Sequence, residues 1–432
     1  AAMNAETGCD AQQARLFTVS PLRTSLNFYS LGRTQEESAR LVSAMRRIDA
    51  VTEMFDVEYP DWSFGYGTVQ HDALPVFFQP VAILRMRLGS GLPVVRDDRS
   101  FTAIGAEIHL YDDCVAILFV EWATDVDACP REDFDSALTG ATKSLFRRHV
   151  LGCLETMQEA LSRDDTALKV LRARDEFSVF TPLHALPDAP DWTARSVLVT
   201  GGPETAVMLS GKLGGLPPVP EEFDGARAWV GSGNSLFAVT SGRLEAFTQD
   251  WMRCMSLCQF YATLLSRYQA MLLGDLRLME NAGDREIKKT ILRTLERKLD
   301  HLDFIRLQHE RALYGLQGIR RPLCRYIHEA WESALQFGNV EGWAAFLRKQ
   351  IDRYYRRRQL AQTRILKSIV AAIGSFSLFD LFLVLRHESD EQEDGGLPGI
   401  LDIFAGHSAD TVLYGALAIL LFLMLITYLN EK

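Results

Sequence analysis

Ser368, Ala372, Ser375 and Phe379 recur at intervals of three and four, so on a helix they share one narrow stripe, extended by Phe382 and Arg386. Small and hydroxyl side chains on one face either let a second helix approach closely or line a watery path. Asp380 stands inside the same apolar run, about a third of a turn from the stripe. A carboxylate there either serves passing cations or lies near enough to the end of the run to reach polar surroundings. Just downstream, Glu388, Asp390, Glu391, Glu393 and Asp394 crowd together. Confined like charges concentrate cations, although a solvated loop would read the same. The chemistry these spacings suggest is cation passage.

Other clusters read more plainly. Cys254 and Cys258 share a helix face at i, i+4, but no CxxC accompanies them, so two small buried apolar residues are expected rather than a metal or redox site. His301 and His309, with Asp303 and Glu310, read as a solvated helix face, since no H-E-x-x-H or short histidine pair occurs. The segment Gly201-Gly202 to Gly211-Lys212 fails the P-loop pattern, because Leu213 stands where Ser or Thr must reach magnesium. Gly231-Ser232-Gly233-Asn234 suits a hairpin turn. No G-x-S-x-G elbow appears, and the chain is read as a non-enzyme.

Two elements must position the stripe and the acidic cluster. Thr411 to Leu429 is an apolar run long enough for a hydrocarbon core of about 30 Å, and Ile369 to Leu385 is a second apolar stretch just upstream. They predict transmembrane helices over 368–386 and 411–429, an acidic outer loop over 387–410 and a short tail over 430–432. A basic collar of Arg356, Arg357, Arg358, Arg364 and Lys367 precedes the first run, and such residues stay on the cytoplasmic side. The expectation is a multi-pass protein of the inner (cytoplasmic) membrane, with both termini inside and the lipid bilayer as a partner.

The rest of the 432 residues is large enough to bury its own core. A net charge of −10 argues against nucleic-acid partners, which require a basic surface. Seven scattered cysteines suit a reducing compartment better than a disulfide framework. Residues 1–19 lack a signal peptide and are expected to be flexible. Residues 20–242 alternate helical and strand patterns irregularly, which predicts an α+β cytoplasmic domain. Helices are expected over 34–54 and 132–163, strands over 76–88 and 196–200, and a hairpin pairing 106–111 with 114–122. Residues 243–367 contain one proline, Pro322, and read as a long helical stalk. It is expected to break at Gly318 and Pro322 and again at Gly338-Asn339.

An α/β domain, a stalk that continues into the first of two C-terminal spans, and an acidic outer loop together resemble the CorA-like family of divalent metal ion transporters. The resemblance is best over Gln359–Leu385. The family's Gly-Met-Asn motif is absent, and Arg386-His387-Glu388 stands in its place. The resemblance implies a homo-pentamer whose first spans surround a pore lined by Ser368, Ala372, Ser375, Phe379 and Asp380. It also implies a divalent cation, Mg2+ or Zn2+, as substrate and regulator, with no covalent cofactor. A second reading treats residues 20–242 as a sensor for a ligand or partner and the hairpin as an anchor or membrane-perturbing effector; a third is a structural scaffold.

Overall fold

Strand alternation sets up two faces that are both buried. The computed structural model describes residues 14–26, 35–60, 62, 79–89, 91–96, 99–123, 131–163, 186–200, 213–223, 225–240, 242–282 and 289–391, with scattered positions from 408 to 422. The chain divides into two compact units, Ala1–Arg348 and Lys349–Lys432.

The first unit is built on a ten-stranded sheet. Its strands are β1 (Ala14–Arg23), β2 (Phe55–Glu58), β3 (Ala82–Met86), β4 (Leu92–Arg96), β5 (Arg99–Leu110), β6 (Val115–Ala123), β7 (Ala194–Thr200), β8 (Glu221–Phe223), β9 (Ala226–Val230) and β10 (Asn234–Val239). Their order is β2-β3-β5-β6-β1-β7-β10-β9-β8, with β4 also on β5. Pairing is antiparallel except between β7 and β10. The strand β1 begins at Ala14, within the segment expected to be flexible, and lies at the sheet centre. Pro21 disguises it: a proline cannot donate to a ladder. Here β7 pairs only with Ala14 to Val19, so Pro21 lies beyond the end of that ladder.

One face of the sheet packs on α1 (Gln35–Met45), α2 (Asp49–Thr52), α3 (Arg131–Leu145) and α4 (Leu151–Arg163). A π-helical turn, Phe146–Val150, joins α3 to α4 and keeps Phe146 and Val150 buried in register. Leu118, Val120 and Val197 of the sheet and the helix residues Leu138, Leu145 and Leu154 belong to this core. The opposite face carries Phe17, Phe119 and Phe237, which surround Trp251 with ring centroids 4.9, 6.0 and 6.1 Å away. Trp251 belongs to α5 (Leu244–Ala282), which is followed by α6 (Lys289–Gly315), α7 (Arg320–Ala330) and α8 (Ser333–Glu391). Pro322 sits in the first turn of α7, where its missing N–H costs nothing.

Two expectations about the helices change. The break expected at Gly338-Asn339 occurs instead at Trp331-Glu332, where Glu332 takes the left-handed conformation at φ 51°. Helix α8 runs straight through Gly338. More importantly, no helix among the described residues is long and apolar enough to cross a membrane. The expected span 368–386 is not a separate element but part of the 59-residue α8, where a basic run precedes the apolar side chains and Ser375, Ser377 and Asp380 interrupt them. The expected span 411–429 falls mostly outside the described residues. The two transmembrane helices, the multi-pass inner-membrane location and the membrane channel are therefore given up. What stands is a mixed α/β sheet domain followed by a helical C-terminal region.

Candidate functional site

Between the start of α5 and the sheet lies a cleft of about 430 Å³. Strand periodicity supplies its floor: Arg15 and Phe17 from β1, Ile83 and Arg85 from β3, Glu107 and His109 from β5, Phe119 and Glu121 from β6. Alternate residues point to one face, so all of these emerge on the side that α5 covers. The other wall is Glu245, Thr248, Gln249, Met252 and Arg253 of α5, and Trp62 also lines the cleft. A bulge between Ala103 and Gly105 lets β5 bend beside Glu121, and a Cβ on Gly105 would lie 3.4 Å from the Glu121 carboxylate.

Charge in the cleft is organised in pairs. Arg15 donates to both oxygens of Glu121 at 2.6 and 2.8 Å and to Glu245 at 2.7 Å, so it bridges the sheet to α5. The bond to Glu121 is the main cause that raises its pKa. Arg85 donates to Glu107 at 2.8 Å and to Glu58 at 2.9 Å. Burial pushes the Glu107 carboxyl up, but His109 and Arg85 more than offset this and hold it down at about 2. The Arg253 guanidinium lies 5.8 Å from the Trp62 ring centroid.

Glu107, His109 and Ser256 follow one another at 3.4 and 2.8 Å, an order that resembles an acid–histidine–serine relay. The serine does not serve as a nucleophile here. It is fully buried on α5, shares its hydroxyl with Tyr111 at 2.8 Å, and is not among the residues that line the cleft. The network fixes the register of α5 on the sheet.

Two further polar clusters involve α5. In the β5–β6 turn, Asp113 is fully buried at φ 60° and accepts a bond from His301 Nε2 of α6 at 2.8 Å. The half-buried Arg267 of α5 donates to the carbonyl of Cys114 at 2.8 Å and to that of Leu22 at 3.3 Å. Burial lowers its pKa, against the pull of Asp191. His301 is thus a buried partner of the sheet, not the solvated residue its polarity predicts. The second cluster joins Cys254 and Cys258 of α5 to Cys324 and His328 of α7, all buried. Burial pushes the Cys254 thiol well up and raises Cys258. Contact with Cys254 favours the Cys324 thiolate, but Cys258 and burial push that thiol well up. Burial holds His328 down at about 4, and burial with the neighbouring His328 holds His309 down at about 3.

The described residues among those expected to carry cations lie along α8. Ser368 and Ser375 donate to the carbonyls of Arg364 and Ala371, one turn back, at 3.0 and 2.7 Å. Their hydroxyls are thereby satisfied within α8. Ala372 is half-buried and Asp380 exposed, while Phe379 is described only in its backbone. The collar residues Arg356, Arg357, Arg358, Arg364 and Lys367 are exposed. Glu388, Asp390 and Glu391 continue α8, and Glu393 and Asp394 lie outside the described residues.

The cleft was not legible because it draws on six separate segments with no shared motif. The thiol cluster did have a signal: Cys324 and His328 repeat on α7 the i, i+4 spacing of Cys254 and Cys258 on α5. No protein-family model matches this sequence, and no curated protein matches it.

Proposed function

We propose that the first unit is a ligand-binding module that takes a small polar molecule in the cleft between the sheet and α5. The observation that carries this reading is the double origin of the walls: an occupant would touch both the sheet and the helix. Arg15, Arg85 and Arg253 face Glu107, Glu121 and Glu245, so the lining offers both donors and acceptors. Such a balance suits a ligand that carries an anionic group and a hydrogen-bond donor together. Trp62, Phe119, Ile83 and Met252 offer apolar surface for its carbon skeleton. Binding would bias α5 against the sheet, and α5 leads into the rest of the helical region.

Equilibrium dialysis of the full chain against a mixture of cell metabolites, with mass spectrometry of what is retained, tests this directly. The wild type should retain a compound that Trp62→Ala does not. Retention of nothing by the wild type, or equal retention by both, would end the reading.

We also propose that α8 mediates self-association into a homo-oligomer. Ile369, Val370, Ile373, Phe376, Leu381 and Val384 are each at least half exposed. An apolar group of this size calls for cover. A second copy laid antiparallel would set the basic run before Ile369 against the acidic run after Arg386, so charge favours that partner.

A further inference from the structure

Two helices meet with matched pairs of soft ligands. On α5, Cys254 and Cys258 lie one turn apart on one face; on α7, Cys324 and His328 do the same. The helices pack so that Cys258 Sγ is 3.3 Å from Cys324 Sγ, and the ligating atoms of Cys258, Cys324 and His328 lie within 4.8 Å of one another. Cys254 approaches the Cys324 thiol from the preceding turn, with its own Sγ 3.4 Å from the Arg320 carbonyl.

We propose that Cys258, Cys324 and His328, joined by Cys254 once its thiol turns from the Arg320 carbonyl, form a tetrahedral site for zinc that clamps α5 to α7. Three thiolates and an imidazole are the donor set that a structural zinc ion takes, and soft sulfur ligands select against magnesium and calcium. The histidine is already oriented for this. Its Nδ1 is 2.9 Å from the buried Ser333 Oγ, so Nε2, which now lies 3.4 Å from His309 Nε2, is the nitrogen that would turn to the metal. A bond of that kind to the second ring nitrogen is what metal-binding histidines characteristically have. Aromatic rings enclose the histidine: His309 stands edge-on to His328 with ring centroids 4.9 Å apart, and Tyr261 and Phe337 each lie 4.6 Å from His309.

Charge also balances locally. Each ligating thiol releases its proton to solvent as the metal enters, so three thiolates and one Zn2+ leave a single negative charge. The guanidinium of Arg320, at the start of α7, is close enough to act electrostatically on Cys254. Consequently the site would use the first turn of α7 as well as its centre.

The test is the metal content of the full chain purified in reductant without chelator, then stripped and reloaded with Zn2+ or Co2+. About one zinc ion per chain is expected, and the cobalt form should show the thiolate-to-metal charge-transfer absorption of a tetrahedral sulfur site. Cys324→Ala and His328→Ala should lose the metal, while Cys153→Ala, remote from the cluster, should keep it. Should the two cluster variants fail to fold, the wild-type cobalt spectrum still decides. A wild type that holds neither metal after reloading would overturn the proposal. So would a cobalt spectrum without thiolate bands, or a Cys258–Cys324 disulfide in protein kept reduced.

Discussion

Helix α5 and the distal part of α8 are both rich in apolar residues, yet they end in opposite environments. On α5, Trp251, Tyr261 and Tyr268 are fully buried, because the sheet and the following helices supply cover. On α8, Val370 and Ile373 are 61% exposed and Phe376 74%. Among the described residues nothing covers them. The difference teaches that apolar density shows a segment wants a partner without saying which. For α5 the partner is the chain's own sheet; for α8 we have proposed a second copy.

The largest effects should fall on the covered helix. Trp251→Ala removes the ring that Phe17, Phe119 and Phe237 surround, and should cost about 3–5 kcal/mol in urea denaturation. A loss below about 1 kcal/mol would mean that α5 is not anchored there. Asp113→Ala should cost about 3 kcal/mol, since it leaves His301 without its buried carboxylate. A double-mutant cycle with His301→Ala isolates the pair, and strictly additive losses would show that the two residues do not couple.

Local pattern made much of the sheet domain readable. The hairpin over 106–122 is visible because CVAILFVEW follows Asp112-Asp113, and the structure pairs β5 with β6 about that turn. Gly231 to Asn234 likewise closes the β9–β10 hairpin, with Gly231 N donating to the Asn234 carbonyl at 2.8 Å. What failed was long-range. Polarity gave no sign that His301 would meet Asp113, 188 residues away, inside the protein. Counting apolar residues could not separate a membrane span from part of a 59-residue helix. The thiol cluster lies between these cases, because each i, i+4 pair is local but their meeting is tertiary.

The cleft gives a smaller, pH-dependent test on the covered side. Glu107 is held at about 2, below its ordinary 4.5, so it contributes stability above about pH 4.5 that disappears as pH falls toward 2. Glu107→Gln should therefore be less stable than the wild type at neutral pH. The gap should close through that acid window, as chemical denaturation at a series of pH values would show. A constant gap would assign the loss to packing rather than to the charge that Arg85 and His109 hold.

The smallest effect on stability, and the sharpest test of the contrast, belongs to α8. An exposed residue away from special features changes stability by no more than about 0.5 kcal/mol, so at protein concentrations low enough to keep the chain monomeric Phe376→Glu should leave urea denaturation almost unchanged. In Trp251 a comparable loss of aromatic surface is severe, because there the surface is already covered. Phe376→Glu combined with Ile373→Glu should act instead on association. In light scattering of the full chain, the wild type should be oligomeric and the double variant monomeric, since carboxylates in an apolar contact would be desolvated without partners. If the wild type is monomeric, a second copy is not what covers α8. If the double variant remains oligomeric, the contact lies elsewhere on the chain, and the exposed stretch has no part in it.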